Sequence, residues 1–270
     1  MSIRSRALDR FAAWVDAPDA AGGIAAFRRA FAGIWLVYDT FDVAAGTTER
    51  AAFWLPHLPS PDLAVVQLVL VVCGLALVFG RHVWPAGMIA AVARGTEAFA
   101  FYPLNDFFFG SIVYLLLAHS EGGPFARAAP PRWVRDVLLL ELAWVYAATG
   151  MLKLSPDWLD GGHLFVRTRY LAQGAHWPYP APLAHALSSL ETDAVLAKIG
   201  ASGELALAGV VFARRPYWLA VALAVSIHGF GTVVTNVWFF SATMIAAVAL
   251  LLPRPRSSSA TAGARERVIA

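Results

Sequence analysis

The chain has 270 residues, 59% hydrophobic and 14% charged, with a formal net charge of +3 and a mean hydropathy of +0.60. That balance marks an integral membrane protein, and eight long apolar stretches joined by short loops exclude a soluble catalytic domain of ordinary size. One cysteine, Cys73, excludes an internal disulfide, and arginines dispersed among loops, without a patch interleaved with aromatics, exclude a nucleic-acid partner.

Residues 1–22 carry arginines but no uninterrupted apolar core ahead of Asp16 and Asp19, which argues against a cleaved signal peptide. They read as a cytoplasmic amphipathic helix with Phe11, Trp14 and Val15 against the membrane. Residues 23–252 form the membrane domain. Its fold class is expected to be all-α, a polytopic helix bundle with about eight transmembrane helices plus interfacial ones. The spans fall at 24–44, 62–80, 84–103, 106–120, 134–153, 195–213, 217–233 and 236–252. Cys73 sits within the second span, where packing is its ordinary role. Residues 154–194, with four prolines and several aromatics, read as a long outer loop carrying interfacial helices. Residues 253–270 are Ser- and Pro-rich and read as a disordered cytoplasmic tail.

With the N-terminus in the cytoplasm, Arg4, Arg6, Arg10, Arg81, Arg127, Arg132, Arg135, Arg214 and Arg215 share that side with the arginines of the tail. The opposite loops hold only Arg50, Arg167 and Arg169, with Lys153 and Lys198 near span ends. This asymmetry predicts both termini inside the cell and Lys153 at the outer side.

Ionisable groups inside spans are costly, so they are where function is sought. Lys153 shares one helical face with Tyr146, Thr149 and Gly150, and the glycine permits close approach of a neighbouring helix or a flat ligand. Two readings compete for Lys153: a cation snorkelling from a helix C-terminus, or an amine held neutral by burial and acting as a base toward a phenol-like acid. Unpaired burial is the condition for the second, whereas a carboxylate partner such as Asp157 or Asp160 removes its warrant. His228 is expected at the same outer depth, near Thr232, Thr235 and Asn236, as a packing histidine or a catalytic one. Asn105 and Asp106 open the fourth span on that side, as helix caps or as ligand contacts. Arg94 and Glu97, three apart, are expected to pair within one helix, and Arg29, Asp39, Glu141 and Glu204 between helices. The remaining histidines lack metal-ligand spacing, so no metal is expected.

The segments "FRRAFAGIWLVYD", "PLNDFFFGSIVYLLL", "GMLKLSPDWLDGG" and "HGFGTVVTNVWFFSATMIA" resemble, in order, landmarks of the HTTM (horizontally transferred transmembrane) family, related to the membrane domain of vitamin K-dependent gamma-carboxylases. The resemblance covers roughly residues 23–252. Arg29, Gly33 and Asp39 fall on the first landmark, as structural positions. Lys153, Asp157, Trp158 and Gly161 fall on the third. It implies that Lys153 occupies the place of the base that deprotonates vitamin K hydroquinone, whose anion reacts with oxygen to make the strong base used in glutamate carboxylation. It implies a catalytic partner in His228, and substrate contacts in Asn105 and Asp106. Tyr146 and Trp158 complete the expected substrate site. Where the family has a second asparagine and then a histidine, this chain has Asp106 and Phe107, and it lacks the large extramembrane region that holds the carboxylases' protein substrates. The implied cofactor is vitamin K hydroquinone or a menaquinol-like lipid, and these departures leave glutamate carboxylation open. The implied setting is a bacterial cell membrane. The competing reading is a noncatalytic partner or maturation factor for a secreted peptide or membrane protein. Solute transport predicts internal symmetry, which the sequence does not display.

Overall fold

The computed structural model describes residues 3–19, 23–44, 63–100, 105–121, 130–166, 189–214, 216–235 and 238–253. Among these residues the chain is all-helical: α1 (Ile3–Asp16), α2 (Gly23–Ala44), α3 (Leu63–Phe79), α4 (Val83–Ala100), α5 (Asn105–Ala118), α6 (Arg132–Leu152), α7 (Pro156–Leu159), α8 (Leu190–Ala213), α9 (Tyr217–Thr235) and α10 (Trp238–Leu251). Helices of 14 to 24 residues therefore lie on all eight stretches expected to span. By length and composition one of them, Leu190–Ala213, is long and apolar enough to cross a membrane; Val65–Phe79, Phe109–Ala118, Tyr217–Thr232 and Trp238–Leu251 are shorter apolar helices. The expected disordered tail, apart from its first residue, lies outside the described residues, as does the middle of the expected outer loop.

Consecutive helices pack on one another from α2 to α5, and α6, α8, α9 and α10 do so in turn. The last helix returns against α2, and α5 and α2 also touch α6, which joins the two groups around one core. Aromatic rings make much of that core. Phe31 meets Tyr114 edge-on at 4.9 Å, and Phe239 stacks on Tyr38 at 4.1 Å while its edge meets Trp35 at 5.3 Å.

The outward faces are also apolar. On α3, Val65, Leu68, Val72, Leu75 and Phe79 recur at helical spacing and are all exposed, Phe79 at 73%. A soluble helix turns a charged stripe outward, whereas this one turns aliphatic and aromatic side chains outward, and α4, α6 and α9 expose Val92, Trp144 and Trp218 likewise. Exposed apolar side chains in this number mark a surface that meets a membrane or another protein.

The central buried cation is matched by carboxylates from two helices. Arg94, fully buried on α4, donates to both oxygens of Asp39 on α2 at 2.7 and 2.8 Å and to Glu97 at 2.6 Å, with its guanidinium 4.3 Å from the Trp35 ring centroid. The expected Arg94–Glu97 pair is thus present, and Asp39 joins it from a second helix. Arg29 lies exposed on α2. Its neighbour Arg28 is the buried one, donating through Nε to the Leu77 carbonyl at 3.1 Å, near the C-terminus of α3 where the helix dipole favours a cation.

The N-terminal helix is present as expected, with Phe11 exposed and Trp14 and Val15 half-buried. It is clasped to the start of α6: the Asp19 amide donates to the Pro130 carbonyl, the Arg132 amide to Ala17, each at 2.8 Å, and Arg135 pairs with Asp19 at 2.5 Å.

The expected outer loop is more structured at both ends than its prolines suggest. It begins with α7 and a further helical turn over 162–166, and α8 starts at Leu190, five residues ahead of the expected span. Ser189 explains the early start, because its Oγ accepts the Thr192 amide at 3.2 Å and Glu191 and Asp193 complement the helix dipole in the first turn. Gly161, at φ +83°, turns this segment against α8; a Cβ there would lie 2.3 Å from the Ala194 nitrogen.

Candidate functional site: a cavity beside Lys153

The C-terminal half of α6 carries the site. Tyr146, Thr149, Gly150 and Lys153 lie on one face, as the spacing predicts, and that face turns toward α8 and α9. Gly150 permits the approach, since a Cβ there would lie 2.9 Å from Leu205 Cγ on α8. Thr149 bends its hydroxyl back to the Val145 carbonyl at 2.8 Å, so it offers no free donor.

Two polar pairs result. Lys153 forms a direct ion pair with Glu204 of α8, with side-chain exposures of 25% and 10%. Tyr146, buried, is hydrogen-bonded through its hydroxyl to His228 Nε2 on α9 at 2.8 Å. With the proton on His228 Nδ1, Tyr146 is the donor; with it on Nε2, the imidazole is. Phe240 of α10 closes the far side of the imidazole edge-on at 6.1 Å.

Between these pairs lies a half-open cavity of about 360 Å³. Its inner wall holds Tyr146, Lys153, Glu204 and His228 beside apolar surface from Phe109 and Met244. Trp144 and Leu152 also line it, and both are strongly exposed, so the mouth opens sideways onto the apolar exterior of α6. Its size lies in the range of small-molecule sites, and its makeup, mostly apolar with a few convergent polar groups, is theirs too.

The site residues expected from the sequence divide accordingly. Lys153, Tyr146 and His228 converge on the cavity from two helices. Trp158 meets Lys153 instead, its ring centroid 5.3 Å from Nζ, and stacks on His163. Asn105 and Asp106 open α5, one turn before the lining residue Phe109, and their side chains lie outside the described residues. Asn236 lies outside them as well. Arg29 and Asp39 belong elsewhere in the bundle. Among the described residues no cluster of three or more metal-ligating side chains occurs.

Glu204 is the residue that sequence reasoning assigned to structure and not to the site. Asp157 and Asp160 stood closer in sequence, but both are exposed, and Asp160 accepts the Gly162 amide at 2.9 Å instead. The available signal was cost: a carboxylate in the apolar run "GELALAGVV" demands a cation at its own depth. Compared with known proteins, the chain matches no family model, no curated protein and no solved structure.

Proposed function

We propose that the protein is an eight-span membrane bundle of the HTTM type, with both termini in the cytoplasm, that binds a quinol-like lipid in the cavity beside Lys153. The observation that carries this reading is the combination of a polar inner wall with a mouth framed by exposed Trp144 and Leu152. An amphiphile entering from hydrocarbon would meet apolar surface first and hydrogen-bonding groups last. A cavity of roughly 150 Å³ takes a benzene ring, so about 360 Å³ accepts a two-ring headgroup. The apolar exterior and the arginine asymmetry between loops support the membrane placement.

The ion pair changes the part given to Lys153. An ammonium bonded to a carboxylate has no lone pair with which to take a proton, so the pair acts as a unit. Glu204 is the acceptor for a quinol hydroxyl proton, and the Lys153 ammonium stabilises the resulting oxyanion. The Tyr146–His228 pair supplies a second polar contact in the same cavity, suited to the other quinol oxygen. A noncatalytic reading, a partner or maturation factor for a secreted peptide or membrane protein, draws on the same ion pair, because a satisfied lysine is also what a scaffold needs.

Two measurements test the proposal. Membranes containing the protein are given reduced vitamin K and oxygen, and quinone-epoxide formation is compared among wild type, Lys153→Ala and Glu204→Gln. Product that depends on both residues supports the enzymatic form. Retention of menaquinol by the purified protein, weakened by Trp144→Ala, supports binding without turnover. Neither product nor retention, from protein that resists carbonate extraction, leaves the scaffold reading.

A further inference from the structure

A second groove lies at the opposite end of the α6–α8 pair, also about 360 Å³, and is lined by Trp14, Asp136, Leu140, Val211, Phe212 and Arg214 among others. We infer that it holds the headgroup and upper chain of an anionic phospholipid from the arginine-rich leaflet. Helices α6 and α8 are antiparallel, so the start of one and the end of the other meet here. Arg214 Nη1 donates to Asp136 Oδ1 at 2.7 Å, and Arg132 Nε lies 3.3 Å from Oδ2, where Trp14 Nε1 also donates at 2.9 Å. Two arginines share one carboxylate, which leaves the groove's polar end with an excess positive charge. Arg135 is already matched by Asp19.

Along both helices the lining turns from charged to apolar in the same direction. On α6 it runs from Asp136, with its partner Arg132 one turn further back, to Leu140, and on α8 from Arg214 to Phe212 and Val211. Leu140 and Phe212 are exposed at 57% and 72%. A soluble phosphate would use only the charged end, whereas a phospholipid uses both. Basic pockets between helices on the cytoplasmic side suit anionic headgroups, and an indole belongs at that depth.

The inference rests on the membrane placement proposed above and is independent of the quinol site. Carbonate-resistant fractionation is therefore established first; protein released by carbonate overturns the membrane placement, and the steps below then address the groove alone. Detergent-purified full-length protein is titrated with phosphatidylglycerol, phosphatidylcholine and glycerol 3-phosphate, and bound lipid is read by native mass spectrometry with thermal midpoint in parallel. Phosphatidylglycerol is expected to bind in preference to the other two. Its advantage is expected to fall roughly five-fold in Arg132→Gln. It is expected to vanish in the triple variant Arg132→Gln/Asp136→Asn/Arg214→Gln, which leaves no orphaned carboxylate. Equal binding of the two lipids by wild type, a glycerol 3-phosphate response matching that of phosphatidylglycerol, or an anionic preference unchanged in Arg132→Gln each overturns the inference.

Discussion

Replacing Arg94 by methionine is the most exacting test of the bundle's interior. The substitution keeps an unbranched, flexible side chain but removes three charge-assisted hydrogen bonds and the contact with Trp35. It also takes the guanidinium away from Asp39 and Glu97, whose side chains are 2% and 5% exposed. Hydrogen bonds to charged groups contribute about 1.5–3 kcal/mol each, but they are not additive. The two buried carboxyls also limit the loss by taking up protons. Breaking a buried pair from one side costs about 3–5 kcal/mol. For a protein of this size each kcal/mol moves the midpoint by about 2–4 °C, so Arg94→Met is expected to unfold about 6–20 °C below wild type. Thermal unfolding in detergent, followed by tryptophan fluorescence to which Trp35 contributes, reads the shift. The neutral triple variant Arg94→Met/Asp39→Asn/Glu97→Gln should recover most of it, because the two buried negative charges go with the positive one. A single variant within about 1 kcal/mol of wild type, or a triple variant no better than the single one, refutes the reasoning.

Three further outcomes follow from the same structure. Tyr146→Phe leaves His228 Nε2 without its hydroxyl partner and should cost about 1–3 kcal/mol, while Tyr146→Phe/His228→Leu should recover part of that in the same unfolding assay. Gly150→Ala brings a Cβ to 2.9 Å from Leu205 Cγ and should lower stability by about 1–3 kcal/mol; the companion change Leu205→Ala should relieve it. Glu141 Oε2 is buried without a hydrogen-bond partner, so Glu141→Gln should leave stability unchanged or raise it, and a lower midpoint would reveal a partner for that carboxylate.

Much of the fold was legible because its signal is coarse. Runs such as "LAVVQLVLVVCGLALVF" are apolar all round, and the helix α3 occupies that stretch. The start of α8 was missed because Ser189 caps a polar first turn that hydropathy alone assigns to a loop. The helical face of Lys153, Tyr146, Thr149 and Gly150 was readable from period 3.6, and so was the Arg94–Glu97 pair, since both are local. Pairings across helices were not. Nothing in sequence spacing sets Glu204 against Lys153, Asp39 against Arg94, or Tyr146 against His228, because each depends on the rotation of one helix about its axis relative to another. Which of Arg28 and Arg29 is buried was not readable for the same reason: adjacent positions point about 100° apart, and only the packing of α3 decides.

The two close approaches on α8 carry a consequence for length. Gly161 abuts Asp193 and Ala194, while Gly150 abuts Leu205, with the Lys153 partner Glu204 beside it. Eleven residues separate Ala194 from Leu205, which is about three full turns at 3.6 residues each. One stripe of α8 therefore meets both ends of the segment that begins at Gly150 and runs through α7. The two contacts are in phase. Inserting or deleting one residue between 194 and 204 would rotate one contact by about 100° against the other, so the clasp at Gly161 and the ion pair at Lys153 could not both survive. That stretch behaves as a fixed-length ruler: its side chains can vary in kind, but its number of residues cannot.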